Sequence, residues 1–333
     1  MKTMRILALS FLIGVISLYL LACETEKPAP IPPAKPPLTM TVATFTKAIA
    51  HAPLYVALHH GWFQEDPRLK DVKIEYKVYN DRPSISQAFS NGDLQVLFSA
   101  EAPQILCRAQ GDDIRIVMLT TWAAQEIVVQ NDIPASDFKD LRGRSLAVLA
   151  GTSSHYGILK LLETNNMTQS DIALKFMSPP EARTAFETKQ IDAWAAWAPW
   201  VEQQTVPGRG KVLPGGDHVI SIVMAYSNDL LTDPRKRLAA EAIASVILRG
   251  KKWTAAHPEE AQRITAEEVG LEIEIVKAAW GKQHWEAQLT DEKIEDIQRK
   301  ATFLGEAGIT RKGKILDVRR ELIDLSILTS IKR

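Results

Sequence analysis

The stretch Gly151-Thr152-Ser153-Ser154-His155 sets three consecutive hydroxyls between a buried apolar run and a helical one. Free N–H groups and a partial positive charge at a helix N-terminus hold anions, and hydroxyls add neutral donors. The same residues also read as an ordinary N-cap, and spacing alone does not separate the two. Trp194, Trp197 and Trp200 supply aromatic surface nearby. Strand alternation sends Trp194 and Trp197 to opposite faces. Trp197, at the carboxyl end, is the candidate cleft wall, and Trp194 reads as core. Trp122 either walls the opposite side or packs at a hinge. Glu101 and Glu126 suit the ammonium end of a zwitterion, repel a plain anion, or simply pair with a neighbouring Lys or Arg. Thr46 and Ser99, beside strand ends, complete the candidate ligand-binding set. Asp192 falls near a strand's amino end and reads as structural.

Other chemistries lack their residues. No G-x-x-x-x-G-K-[ST] loop and no G-x-G-x-x-G fingerprint is present, which argues against nucleotides. The seven His contain no H-E-x-x-H pair, and two Cys exclude a disulfide framework or a Cys-rich zinc site. The chain carries 40 basic and 40 acidic residues, whereas nucleic-acid binding needs a phosphate-neutralising excess or a basic stripe. No catalytic residue, metal or cofactor is expected. The 333 residues are 46% hydrophobic and 24% charged, ordinary for a globular chain of about two domains.

Positioning these residues requires strands alternating with helices. MTVATF at 40–45 reads as a buried strand, 51–62 as a helix, 72–79 as a strand, 83–90 as a short helix closed by Asn91-Gly92, and 94–99 as a strand. The order returns: strand 145–150, helix 154–163, strand 172–177, a helix opened by Ser178-Pro179-Pro180-Glu181, and strand 191–197. The last helix start carries a capping box and an N1 proline. Ala88-Phe89 and Leu94 match Ala185-Phe186 and Ile191 at an offset of 97. Such repetition means two α/β lobes with parallel βαβ units. Residues 124–131 and 219–226 read as further strands, with chain crossings near 123–128 and 218–227. Helical patterns cover 241–253, 258–268, 273–283, 291–307, capped by Asp291, and 316–327. The division expected is lobe I, 40–124 plus 226–333, and lobe II, 125–225. Ligands bind beyond the carboxyl ends of such strands. That rule selects Phe45–Lys47, Ser99–Glu101, Thr120–Trp122, Gly151–His155 and Trp197–Pro199.

The first forty residues read as an address and a tether. Lys2 and Arg5 precede an apolar run at 6–22, a secretory signal pattern for residues 1–22. Leu20-Leu21-Ala22-Cys23 resembles a bacterial lipobox, which makes Cys23 the candidate lipidation site. Acyl chains, at about 0.8 kcal/mol per buried CH₂, would hold the protein on a membrane. Residues 24–38 contain six prolines. In polyproline II they reach on the order of 45 Å, so residues 23–39 form a tether. Cys107, in an apolar run, reads as a buried thiol.

Three segments carry a family resemblance: Ala52–Ala57 with Gly61-Trp62-Phe63, then 151–156, then Pro179-Pro180 through Ile191-Asp192-Ala193 to Trp197-Ala198-Pro199. Together they resemble periplasmic solute-binding proteins of ABC importers, in the nitrate, sulfonate and taurine branch, which also includes thiamine-precursor binders. The resemblance runs from about residue 40 to 330. It implies a two-lobed type II binding-protein fold with parallel-dominated sheets, flanking helices and two hinge crossings. It implies closure over a small anionic or zwitterionic ligand, outside the cytoplasm, and delivery to a permease and its ATPase; a monomer is expected, although the sequence leaves oligomeric state open. The Trp-Ala-Pro form looks most like the taurine members, and Glu126 falls where those also carry Glu. Gln95 and Glu101 depart from the family pattern, and Glu101 counts against a plain sulfonate or nitrate. The expected ligand is an organosulfonate, with taurine favoured. Its sulfonate would sit on residues 152–155, Trp197 and Trp122 would cover its apolar part, and Glu126 or Glu101 would accept its ammonium. Alternatives are another ligand of the branch (nitrate, an aromatic sulfonate or carboxylate, a hydroxymethylpyrimidine), a sensory role, or a thiamine-precursor enzyme.

Overall fold

The computed structural model describes residues 38–285 and 288–331. The signal segment, Cys23 and the proline-rich stretch to Pro37 lie outside the described residues. Residues 38 and 39, expected to belong to the tether, are instead part of strand β1 (Leu38–Phe45), which pairs Leu38 with Val72 of β2 (Val72–Tyr79). No helix among the described residues is long and apolar enough to cross a membrane.

The remaining strands are β3 (Val96–Ala100), β4 (Ile114–Gln130), β5 (Ser145–Val148), β6 (Ala173–Phe176), β7 (Ala193–Ala196), β8 (Gly210–Val212), β9 (His218–Ser227) and β10 (Gln283–His284). The sheet runs β2-β1-β3-β9-β4-β7-β5-β6, with β8 and β10 added on β4. β1 is parallel to β2 and β3, and β5 is parallel to β6 and β7. β9 lies antiparallel between β3 and β4. The expected mixed α/β fold with a parallel-dominated sheet is present.

β4 changes the reading of one site. It is a single 17-residue strand, not a segment beginning at residue 124. Its first part pairs with β9 from Ile114 to Gln125, and its last residues pair with β7 from Glu126 to Val129. Thr120–Trp122 therefore lie inside a ladder, not in a loop beyond a strand end. The strand is buried along most of its length, so apolar residues on both faces replace the alternation that marks a half-exposed strand.

Nine helices of eight or more residues occur among the described residues: α1 (Ala52–His59), α2 (Arg82–Asn91), α3 (Glu101–Gln110), α4 (Ser153–Thr164), α5 (Pro179–Glu187), α6 (Pro234–Ala256), α7 (Pro258–Val269), α8 (Ile273–Trp280) and α9 (Asp291–Glu306). The capping box is realised at α5, where Ser178 N and Oγ donate to Glu181 Oε2 at 2.9 and 2.6 Å. Gly92 ends α2 at φ 76°, a left-handed position that glycine fills without strain. α6 starts earlier than 241, because Asp233 accepts from Arg235 N and Pro234 fits its first turn. Thr290, not Asp291, caps α9. α8 stops at Trp280, and Gln283–His284 join β4 instead of extending the helix. The helix expected over 316–327 is two short turns, Val318–Glu321 and Ser326–Ile331. Between them the chain breaks so that Ile116 N donates to Leu322 O at 2.6 Å and Asp324 N donates to Ile116 O at 3.0 Å.

Side chains leave the sheet alternately into separate cores. Val42, Phe98 and Met224 enter one cluster, and Ala43, Leu97 and Val223 the opposite one. Beyond β4's midpoint, Val129 and Val148 pack on one face and Val128 and Ala147 on the other. Each fully buried Leu, Phe or Val contributes about 1.5–3 kcal/mol. Cys107 is among the buried residues, and burial pushes its thiol pKa up to about 12.

Candidate functional site

The carboxyl ends of β1, β3 and β7, the β5–α4 turn and the midpoints of β4 and β9 surround one cavity. Measured by where the centre of a water can lie, it holds about 40 Å³, room for about three waters. Its walls are largely apolar, from Phe45, Ala123, Trp197, Ala198, Ile220 and Ile222. Thr46, His51, Gln125, Thr152, Ser153 and Gln283 add polar groups. No Asp, Glu, Lys or Arg is among the lining residues.

Three of these polar residues bury an atom that lacks a hydrogen-bond partner: His51 Nδ1, Ser153 Oγ and Gln283 Oε1. Buried polar atoms are nearly always paired, so three orphans around one cavity mark a place where a ligand can complete the bonding. Burial lowers the His51 pKa to about 4, although a hydrogen bond with the Phe45 backbone opposes this. His51 is therefore a neutral imidazole at pH 7. Thr46 is buried and sits at φ 60°. That is a strained conformation for a β-branched residue, of a kind found at ligand clamps.

α4 brings its N-terminus to the cavity. Thr152 accepts from His155 N at 3.4 Å and donates to Leu149 O at 2.7 Å. Its hydroxyl is thus occupied as a cap, while Ser153 Oγ is the unpartnered one. Gly157 lets α4 lie against His218, since a Cβ there would fall 2.0 Å from the imidazole Cε1. His218 Nε2 then donates to Ser153 O at 2.7 Å and fixes that residue. Burial lowers the His218 pKa to about 4, and the nearby Lys300 charge adds to this. The ring is neutral and carries its proton on Nε2.

Of the residues singled out in the sequence, Thr46, Thr152, Ser153 and Trp197 line the cavity, and six do not. Ser99 Oγ donates to Ala100 O at 2.8 Å and accepts from Gln104 Nε2 at 2.9 Å. Ser154 Oγ donates to Gln125 Oε1 at 2.9 Å. His155 takes Gly151 N–H on Nδ1 and packs edge-on against Phe176, and burial lowers its pKa. Trp122 stacks on His284 with ring centroids 3.4 Å apart, so it packs away from the cavity. Glu101, one of the two candidate ammonium acceptors, is 0% exposed. It bonds Lys300 Nζ at 2.5 Å and takes Ser221 N–H at 2.7 Å. Glu126 pairs with Lys282 at 2.5 Å, and the same ammonium bonds Glu202 at 2.7 Å. Both acids follow the ion-pair alternative. Trp194 is core beside Trp200, and Asp192 accepts from Ser145 N and Oγ, as expected of structural residues.

His51, Gln125 and Gln283 went unnoticed in the sequence. His51 immediately precedes the conspicuous segment Ala52–Ala57, and that position next to a helix start was a usable signal. Gln125 lies mid-strand and Gln283 lay within a helical pattern. Neither had a local signal.

A family description, NMT1/THI5 like, matches residues 48–261, more than half of the chain. A putative aliphatic sulfonates-binding protein of Bacillus subtilis (strain 168) is 25% identical over 252 residues, 75% of this chain and 68% of that protein. The taurine-binding periplasmic protein of Escherichia coli (strain K12) is 25% identical over 184 residues, and the match spans about half its length (54%) and 55% of this chain. Among solved structures, the alkanesulfonate-binding protein SsuA of Xanthomonas axonopodis pv. citri, bound to MOPS, superposes at a TM-score of 0.72 with 20% identity. The superposition covers 85% of this chain and 97% of that one, and it establishes the periplasmic-binding-protein fold. With that fold, the repeated α/β unit and the matched segment, the chain belongs to the NMT1/THI5-like family.

Proposed function

We propose that this chain is the substrate-binding receptor of an ABC importer and captures a small organosulfonate. The carrying observation is the neutral, apolar cavity at the N-terminus of α4, ringed by the unpartnered Ser153 Oγ, His51 Nδ1 and Gln283 Oε1. The His155 N–H of α4 is taken by its cap Thr152, the N–H groups of Ser153 and Ser154 have no partner within the helix, and the helix dipole favours an anion. A sulfonate accepts from those two N–H groups and from Ser153 Oγ, and Phe45 and Trp197 cover its carbon chain. The curated relatives described as sulfonate- and taurine-binding proteins support a receptor reading.

The same geometry favours an amine-free alkanesulfonate over the taurine expected from sequence. Taurine's ammonium would enter a cavity without a carboxylate, and burying an unpaired charge is costly. The expected lobes I (40–124 and 226–333) and II (125–225) would close about β4, which pairs with β9 up to Gln125 and with β7 and β8 beyond it, and about the chain entering β9, although β9 itself pairs along its length with β3 and the first part of β4 and so goes with lobe I. Lipid on Cys23 and the proline-rich tether would hold the receptor at a membrane, in the periplasm or on the cell surface, as a monomer presented to a permease and its ATPase.

The test is a titration of the chain from Glu24 onward with ethanesulfonate, taurine, an aromatic sulfonate, nitrate and a hydroxymethylpyrimidine, followed by tryptophan fluorescence and melting. At a hundredfold excess over Kd a ligand stabilises by about 2.7 kcal/mol. Ethanesulfonate is expected to shift the melt more than taurine does. A response to the pyrimidine or nitrate alone would discard the organosulfonate.

A further inference from the structure

A second, larger space of about 680 Å³ adjoins the inner cavity at Thr46. Thr46 lines both, and the chain from Ala198 to Pro199 passes from one wall to the other. A ligand the size of ethanesulfonate fills the inner cavity and leaves the outer one to water.

The outer space differs in charge. Lys47 and Arg183 line it, and no Asp or Glu does. Lys47 gives bonds to Glu268 O at 2.6 Å and Glu268 Oε1 at 3.1 Å. Arg183 gives only its Nε, to Glu187 at 2.9 Å, which leaves the guanidinium's terminal N–H groups for a bidentate partner. Both side chains are about half exposed, at 45% and 42%. Gln203, 7% exposed, also lines this space and buries an Oε1 without a partner, as Trp200 does its Nε1. Neither orphan belongs to the inner cavity.

Taken together, the neutral inner cavity and the cationic outer one call for a ligand with two ends. Resting on the organosulfonate reading above, we infer that the natural substrate is an elongated organosulfonate with a second anionic group at its far end. The first anion sits at α4. The carbon chain passes Thr46 and Trp197. The second anion lies in the outer space within reach of Lys47 and Arg183, and Trp200 and Gln203 form the wall beside it. A terminal ammonium would meet Lys47 and Arg183, each only partly offset by Glu268 or Glu187, and no carboxylate among the lining residues.

The experiment compares Kd for ethanesulfonate, butane-1-sulfonate, butane-1,4-disulfonate and 4-aminobutane-1-sulfonate on the full chain in detergent, by calorimetry. The disulfonate is expected to bind about tenfold tighter than butane-1-sulfonate at low salt, and the amine weaker than either. Because both cations are solvent-accessible, most of that advantage should disappear at 1 M salt, where the Debye length is about 3 Å. In Lys47→Gln and Arg183→Gln the ratio of disulfonate to butane-1-sulfonate affinity should fall about threefold each, and Arg183→Lys should recover part of it. A disulfonate no tighter than butane-1-sulfonate, or a ratio indifferent to both substitutions, overturns the second anion while ethanesulfonate binding keeps the receptor reading. Failure of every sulfonate to bind overturns both.

Discussion

Replacing Lys300 by Met removes the one ammonium that bonds Glu101. The two lie at 2.5 Å with side-chain exposures of 4% and 0%. Glu101 retains only the Ser221 N–H at 2.7 Å. Removing one member of a buried pair typically costs about 3–5 kcal/mol, because the other charge stays buried and uncompensated. At roughly 2–4 °C per kcal/mol for a chain approaching this size, the melting temperature should fall by about 10 °C. Glu101→Gln should cost less, about 2 kcal/mol, because Lys300 keeps Asp296 at 2.9 Å and Val219 O at 2.9 Å. The double variant should lie about 1–3 kcal/mol above the sum of the singles, as expected for residues in contact. Burial by itself lowers the Lys300 pKa, but the charges of Glu101 and Asp296 more than reverse that and hold it above its ordinary value. A raised lysine contributes stability that is complete below pH 10 and lost only as pH climbs through the higher folded value. The wild-type contribution should therefore be flat from pH 6 to 9. Melting and urea titration measure the stabilities, and ethanesulfonate titration measures the site. The reasoning fails if Glu101→Gln abolishes binding at an unchanged melting temperature, or if Lys300→Met melts within a degree of wild type.

The two buried neutral imidazoles predict an acid limb. His51 and His218 each have a pKa near 4 by burial, so unfolding takes up protons between pH 6.5 and 4 and stability falls as pH drops through that window, by about 3 kcal/mol per ring. His51→Asn and His218→Asn should each flatten the fall in a pH series of urea midpoints, and an unaltered series would refute the assignment of a buried neutral ring. Lys282→Met should cost about 2 kcal/mol at neutral pH, since it leaves Glu202, 2% exposed, without its ammonium. Burial raises the Glu202 pKa despite Lys282. A raised carboxyl makes stability fall as pH rises above its ordinary range, so the variant's deficit in melting temperature should be small at pH 4 and larger at pH 7.

The parts legible in the sequence are those whose signals are local. Ser178-Pro179-Pro180-Glu181 names a helix start because capping spans four residues, and the apolar strand ending in a hydroxyl-rich turn at 151–154 names a βα junction. Trp197 follows from strand alternation at a carboxyl end. Partners distant in sequence leave no such mark. Glu101 meets Lys300 across 199 positions, so its nearness to a strand end left ligand contact and ion pairing equally open, and the partner that makes it an ion pair had no local signal. Trp122 illustrates a second kind of failure. Around it β4 alternates in burial, with Thr121, Ala123 and Gln125 buried and Trp122, Ala124 and Glu126 half-buried, but the residue types from Thr120 to Glu126 show no apolar alternation, and this hid the ladder that carries Trp122 onto His284. Gln283 shows a third. The pattern Ile273–Gln283 remains helical in period, yet pairing of Gln283 with Ala123 and His284 with Trp122 outweighs it once β4 is in place.

The pattern of unsatisfied groups bears on how such a receptor would close. An unpartnered buried polar atom costs about 1–3 kcal/mol. His51 Nδ1, Ser153 Oγ and Gln283 Oε1 come from chain segments far apart in sequence and meet only around the cavity. Shut with neither ligand nor water, the cleft would carry on the order of 3–9 kcal/mol from these three, and the roughly three waters it has room for would relieve part of that. Moving a two-state equilibrium from 1:99 to 99:1 takes about 5.5 kcal/mol of differential binding. A ligand that completes these bonds better than water does would bias such a receptor toward closure by the difference. Lys282 acts independently of the ligand. Its contacts with Glu126 and Glu202 form between the two expected lobes and favour the closed arrangement whether or not a ligand is present. Gln283, the next residue, lines the cavity. On the proposed function, the segment from Gly281 to Trp285 would hold one residue that meets the ligand and one that ties the expected lobes together. Weakening Lys282 should lower the affinity for every ligand by one common factor, whereas weakening Gln283 should alter which ligand is preferred.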